Sequence, residues 1–173
     1  MTSRVLTVAA TMLACAASTA SAQQNVSENQ VGAKTDWSVF EDTDPRECWA
    51  VSVPKQTVNT RDGQPVTVRR SEIQLMAFYR PGSVSGQVAF TGGYAFADGS
   101  TVTLDIDGTQ FNLGTEGEWA WPLPNDDGRI LAALKGGSQA VLTGRSGRGT
   151  QTKDTFSLSG FTAAVEDSER RCK

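Results

Sequence analysis

From Asp36-Trp37 onward the chain is a succession of short runs rich in Val, Thr, Phe and Leu, each broken by a turn-forming cluster. Such spacing predicts an all-β protein. Cys48–Val53 alternates, with Trp49, Val51 and Val53 on one face. Ile73–Tyr79 is apolar in both phases, as a strand buried on both faces would be. Gln87–Thr91, Thr101–Ile106, Gln110–Leu113, Ala140–Thr143 and Thr155–Ser159 are further predicted strands. Asp62-Gly63, Asp98-Gly99 and Asp107-Gly108 fall between such runs. Asp-Gly suits tight reversals because Gly takes positive φ freely and Asp tolerates it. Leu104–Phe111 therefore reads as a hairpin. Many short strands with regular turns predict a sandwich or barrel.

Two stretches break this pattern. Asn125-Asp126-Asp127 can cap a short helix carrying Ile130, Leu131 and Leu134 on one side, ended by Gly136-Gly137. Phe161–Arg171 suits a terminal helix or turn, placing Cys172 against the strand that carries Cys48. There is no internal repeat and no second composition regime, so a single domain over 36–173 is expected.

The N-terminal segment reads differently. Arg4, the apolar run Val5–Ala17 and the small-x-small Ala20-Ser21-Ala22 predict a cleavable signal peptide over 1–22. The apolar run is shorter than the roughly 20 residues a membrane span needs. A rival lipidation site at Cys15 would begin with Met12, a poor lipobox residue. Residues 23–35 are polar and aperiodic and read as a flexible leader. Export to the periplasm or cell surface is expected, with no transmembrane segment in the mature protein.

Charge changes the picture by exclusion. The 173-residue chain has a formal net charge of −3, which argues against nucleic acid and against an anionic-membrane binder. After export only Cys48 and Cys172 remain, an even number in an oxidising compartment. One intramolecular bridge is the simplest reading, with two free thiols or an intermolecular bridge as the rivals. The chain contains no His, which removes Ser-His-Asp and Cys-His catalysis and most zinc sites. No metal and no cofactor are expected.

Asp105 and Asp107 resemble the start of a calcium loop, and Glu116 falls at its twelfth position. Gln110 stands where that loop needs Gly, however, so a plain hairpin is the better reading. Arg145, Arg148 and Lys153 belong to a Gly-interspersed polar segment ending at Asp154. It could gather guanidinium groups and backbone amides around an anion, or simply be a solvated turn in which Lys153 and Asp154 pair. Trp119 and Trp121 alternate ahead of Pro122, and Trp121 with Tyr94 could form a stacking platform or pack as core.

Asp36-Trp37-Ser38-Val39, Cys48-Trp49-Ala50, Thr91-Gly92-Gly93-Tyr94, Trp119-Ala120-Trp121-Pro122 and the long run Gly144–Ala164 together resemble the invasion-associated locus B family. The resemblance covers nearly all of Asp36–Cys172. It implies an immunoglobulin-like β-sandwich, exported or envelope-associated, with a link to host-cell invasion in pathogenic members. It carries over no catalytic residues. In the wider family a cysteine often follows the first Trp, whereas here Val39-Phe40-Glu41 stand there, which marks a divergent branch. The resulting expectation is a non-enzymatic binding protein whose partner is a protein or an envelope or host-surface component. The alternatives are a carboxylate-dependent hydrolase or lyase of envelope polysaccharide, using Asp105, Asp107, Glu116 and Glu118, or a stabiliser of an envelope complex.

Overall fold

A computed structural model describes residues 29–173; the expected signal peptide, with Cys15 and the Ala20–Ala22 site, lies outside the described residues. In chain order the strands are β1 Gln30–Lys34, β2 Trp37–Thr43, β3 Arg46–Ser52, β4 Gln56–Arg61, β5 Gln64–Pro65, β6 Gln74–Arg80, β7 Val84–Thr91, β8 Thr101–Ile106, β9 Thr109–Glu116 and β10 Trp119–Pro122. Helix α1, Asp127–Gly136, precedes β11 Gln139–Arg145 and β12 Gln151–Ser157, and helix α2 spans Phe161–Arg171. No described helix is long and apolar enough to cross a membrane.

All pairings are antiparallel, in the order β1-β2-β3-β6-β7-β10-β9-β8-β11-β12-β4-β5. The fold is β-sandwich-like, although hydrogen bonding runs through one continuous order. The pairing of β7 with β10 is short, covering only Thr91↔Trp119 and Phe90↔Ala120. Strands far apart in the order share one core. Phe90 of β7 meets Phe156 of β12 edge-on at 6.1 Å, although four strands separate them in the sheet order. The Trp37 indole N–H donates to the Ser157 carbonyl at 3.0 Å, joining β2 to the far half.

The pattern-based elements largely form, and Thr101–Ile106 and Phe161–Arg171 match their expected bounds. Asp107-Gly108 makes the expected reversal, with both residues at positive φ and Ile106 opposite Thr109. Ile130 and Leu134 of α1 are fully buried. Asp127 does not cap the helix; its Oδ1 accepts the Val88 N–H at 2.8 Å and ties α1 to β7.

Other expectations need correction. Of the flexible leader expected over 23–35, residues 23–28 lie outside the described residues, and Gln30–Lys34 forms β1 on the edge of β2. Backbone pairing and the Lys34–Asp167 ion pair hold it, and neither needs an apolar rhythm. On β3 the inward face is Cys48 and Ala50, both fully buried, while Val53 lies past the strand and is 59% exposed. Trp49 and Val51 share the opposite face, as expected, and Trp49 stacks there on Phe40 at 5.4 Å. Strand β12 starts at Gln151, not Thr155, because Thr152 and Asp154 occupy its inward positions.

Cys48 and Cys172 are bonded to each other across 124 residues, their Cα atoms 5.8 Å apart. The bridge pins the end of α2 to β3, while Phe161 at its start packs edge-on against Trp37 at 4.8 Å. The helix is thus fastened at both ends to the first half of the sandwich.

Candidate functional site

A groove of about 600 Å³ opens at one end of the sandwich. Its walls come from four places in the chain: the end of β4 (Arg61), the irregular strap 66–73 (Arg69 and Arg70), the loop after β7 (Tyr94) and the β11–β12 turn (Ser146, Arg148 and Thr150). No Asp or Glu is among the lining residues.

The β11–β12 turn is built by its own sequence. Ser146 N–H donates to the Thr150 carbonyl and Gly149 N–H to the Ser146 carbonyl, both at 2.9 Å. Gly149 sits at φ +79°, where a side chain would be strained. Gly144 is needed for another reason: a Cβ there would come 2.9 Å from the Phe96 ring and 3.0 Å from the Tyr94 hydroxyl. The missing side chain lets both rings lie across the hairpin's root. Gly147 N–H and Ala97 N–H then stitch turn and loop together, bonding the Ala95 and Arg145 carbonyls at 3.1 and 2.9 Å.

Beneath the groove lies a buried ion pair. The Arg70 guanidinium grips Asp154 with two parallel hydrogen bonds, 2.7 Å to Oδ1 and 2.5 Å to Oδ2. Its Nε donates to the Gly92 carbonyl at 2.7 Å, and the cation stands 5.1 Å from the centre of the Tyr94 ring. The Arg70 side chain is 6% exposed and that of Asp154 not at all. Burial pushes the Asp154 carboxyl up, and the hydrogen bonds and charge of Arg70 work against that rise. Burial likewise raises the Tyr94 phenol, whose hydroxyl shares a 2.6 Å hydrogen bond with Thr152. This floor is close to neutral. Arg70 positions the strap and is not free to meet a ligand.

The rim is different. Among the described residues Arg46, Arg70, Arg80, Arg129, Arg170 and Arg171 all meet a carboxylate. Arg61, Arg69, Arg145 and Arg148 do not, and three of these four line the groove. Arg61 is steered by a 2.8 Å hydrogen bond to the Thr150 hydroxyl. A mildly acidic chain thus gathers three uncompensated guanidinium groups in one concavity.

The residues singled out from sequence are divided by the structure. Arg148 and Tyr94 line the groove, whereas Arg145, at the end of β11, is outside its lining. Lys153 lies in a separate shallow depression with Val58 and Val141, and the expected Lys153–Asp154 pair is replaced by Arg70–Asp154. Trp121 is not brought to Tyr94; it stacks on Trp119, with ring centres 5.7 Å apart. Arg61, Arg69 and Arg70 escaped the sequence reading. The signals were an adjacent Arg pair in an aperiodic stretch and an acid in the inward phase of Thr152-Asp154-Phe156.

The carboxylates of the catalytic alternative are dispersed. Asp105 accepts from Gly108 N–H and the Gln110 amide at 2.8 and 3.0 Å. Asp107 accepts from Ser138 N–H at 2.6 Å and from its hydroxyl at 2.9 Å. Those bonds hold both carboxyls below the usual range, chiefly through Gln110 for Asp105 and the Ser138 backbone for Asp107. Glu116 ends β9 and Glu118 lies in the turn that leads to β10, at the other end of the hairpin. Among the described residues no cluster of three or more acids or cysteines is placed to hold a metal.

Comparison with known proteins gives this architecture a family. The family model for invasion associated locus B (IalB) protein matches residues 37–169. The chain belongs to the IalB family. Among solved structures, the crystal structure of invasion associated protein B from Bartonella henselae matches with a TM-score of 0.52 at 15% identity, covering 79% of this chain and 93% of that one. At that identity the likeness concerns the fold. No curated protein sequence matches the chain. The IalB match takes in every residue of the groove lining, from Arg61 to Thr152.

Proposed function

We propose that this IalB-family chain is an exported, non-enzymatic binding protein that holds an acidic partner in the arginine groove. One observation carries the reading: three guanidinium groups without ion pairs converge on a loop-built concavity that offers no carboxylate. Groove volumes of roughly 300–1,000 Å³ suit small ligands or the protruding group of a larger one. Guanidinium forks recognise carboxylate or phosphate oxygens. Acid–base catalysis would ask for a general acid or base in the same place, and the groove lining holds no Asp, Glu, His, Cys or Lys.

The signal pattern over 1–22 supports export, and an exported protein would meet its partner in the envelope or on a surface outside it. The invasion associated name of the family and of the Bartonella henselae protein suits a surface contact of this kind.

The test is affinity capture from envelope and host-membrane extracts with mature protein, comparing the parent with R61A/R69A/R148A. Partners retained by the parent and lost by the variant support the reading. Equal capture by both overturns it and moves attention to the Trp119–Trp121 face. Turnover of envelope polysaccharide by the parent would restore the hydrolase or lyase alternative.

A further inference from the structure

We infer that the chemical group held in the groove is a phosphate monoester. This rests on the binding reading above and narrows it to one class of anion.

The argument is one of charge and direction. Arg61 approaches from the end of β4, Arg69 from the strap and Arg148 from the tip of the β11–β12 turn. Three separate segments thus bring a guanidinium group each to one concavity, Arg61 standing beside the β11–β12 turn through its hydrogen bond to Thr150. A carboxylate carries one charge on two oxygens in a plane, and a single fork satisfies both. Two further guanidinium groups in the same concavity would then remain without a counter-charge. A phosphate monoester carries about −1.5 to −2 near neutral pH and presents three acceptor oxygens pointing in different directions. It can accept from more than one fork at once. Arg70 adds no cation to this count, because Asp154 neutralises it from below. The Thr150 hydroxyl holds Arg61 at its post, so that fork is oriented before a ligand arrives.

Size separates a monoester from the free ion. A concavity of about 600 Å³ far exceeds one phosphate and leaves room for its carrier. The Tyr94 ring and the Val68 side chain supply wall for that carrier, which fits a sugar ring or a lipid headgroup.

A matched pair of probes tests the inference: glucose 6-phosphate and glucuronate, which differ mainly in the acid on a common hexose. Each is titrated into the folded mature protein by calorimetry, with thermal melts to verify every variant. The phosphate should bind about tenfold or more tightly than the carboxylate, an unmistakable separation in free energy. R61A/R69A/R148A should lose the phosphate, while R145A, altered just outside the groove, should bind as the parent does. Co-sedimentation with phosphatidylcholine vesicles containing phosphatidate or phosphatidylglycerol distinguishes the source. Capture by the monoester lipid alone assigns a headgroup, and binding of the sugar phosphate without vesicle capture assigns a saccharide.

Equal or better binding of glucuronate overturns the phosphate assignment and leaves the groove a carboxylate site. Failure of the parent to bind either phosphate probe, with arginine-dependent capture from extracts intact, also overturns it while the binding reading stands. Unchanged phosphate binding by the triple variant overturns the site itself.

Discussion

Arg70 and Asp154, 84 residues apart in the chain, meet fork to fork beneath the groove at 2.7 and 2.5 Å. The pair joins the strap, which has no regular structure, to the inward face of β12. A guanidinium this deeply buried is stable only with its partner. D154N or R70M alone should therefore cost about 3–5 kcal/mol, the usual result of leaving one buried charge unmatched. The double replacement R70M/D154L should recover much of that loss, since an apolar pair of similar volume needs no desolvation of charge. Urea unfolding of the three variants measures both, and additive losses in the double variant would show that the residues act independently.

The rim arginines should behave in the opposite way. Arg61, Arg69 and Arg148 are exposed and meet no carboxylate among the described residues. R61A/R69A/R148A should unfold within about 1 kcal/mol of the parent, as surface changes usually do. Partner binding by the parent should weaken as salt rises, because the Debye length shrinks from about 10 Å at 0.1 M to 3 Å at 1 M. The variant should have lost that salt response. Chemical denaturation and binding at two ionic strengths separate the effects.

Acid sensitivity should trace in part to Asp107. Its carboxylate holds the Ser138 and Gln139 amides and so fixes the β8–β9 turn to the start of β11. Its folded-state pKa is lowered, first by the Ser138 backbone bond. A depressed carboxyl contributes stability above its unfolded value of about 3.9, and that contribution is lost as pH falls through the folded value. Melting temperature should therefore drop below about pH 4 more steeply in the parent than in D107N. Parallel curves would assign the acid loss to other carboxylates.

Reduction should loosen α2 first. The Cys48–Cys172 bridge ties its end to β3, and C48A/C172A should lose about 2–4 kcal/mol. Alkylation under denaturing, non-reducing conditions should find no free thiol in the mature parent. Two labelled cysteines per chain would overturn the pairing. Hydrogen exchange in the double variant should rise earliest in the last turns of α2.

Legibility in the sequence followed how local each cause was. The Asp107-Gly108 hairpin could be read because two adjacent residues dictate the reversal. Helix α2 could be read because its bounds coincide with Gly160 and an abrupt change of pattern. Strand β1 could not, since Gln30-Val31-Gly32-Ala33-Lys34 owes its form to the neighbouring β2. The start of β12 was hidden because Thr152 and Asp154 are inward yet polar, and only Tyr94 and Arg70 from elsewhere make that acceptable. The groove shows the same limit. Arg148 announced itself in a glycine-rich turn, but Arg61 and Arg69 become its neighbours only once the sheet has folded back on itself.

The strap also guards an edge. Strand β5 is two residues long and includes Pro65, which has no N–H to offer a further strand. Beyond it the chain leaves β4 with its Gln56–Val58 side unpaired, and Val58 is 41% exposed. Arg70 holds the departing segment in place, bonding Gly92 and Asp154 and reaching the Asn59 amide oxygen at 3.3 Å. An open strand edge is a template for pairing with another chain. Two different demands therefore meet at the groove: the rim arginines meet no carboxylate and can be exchanged without unseating the fold, but a change that frees the strap also opens β4 to pairing with another chain.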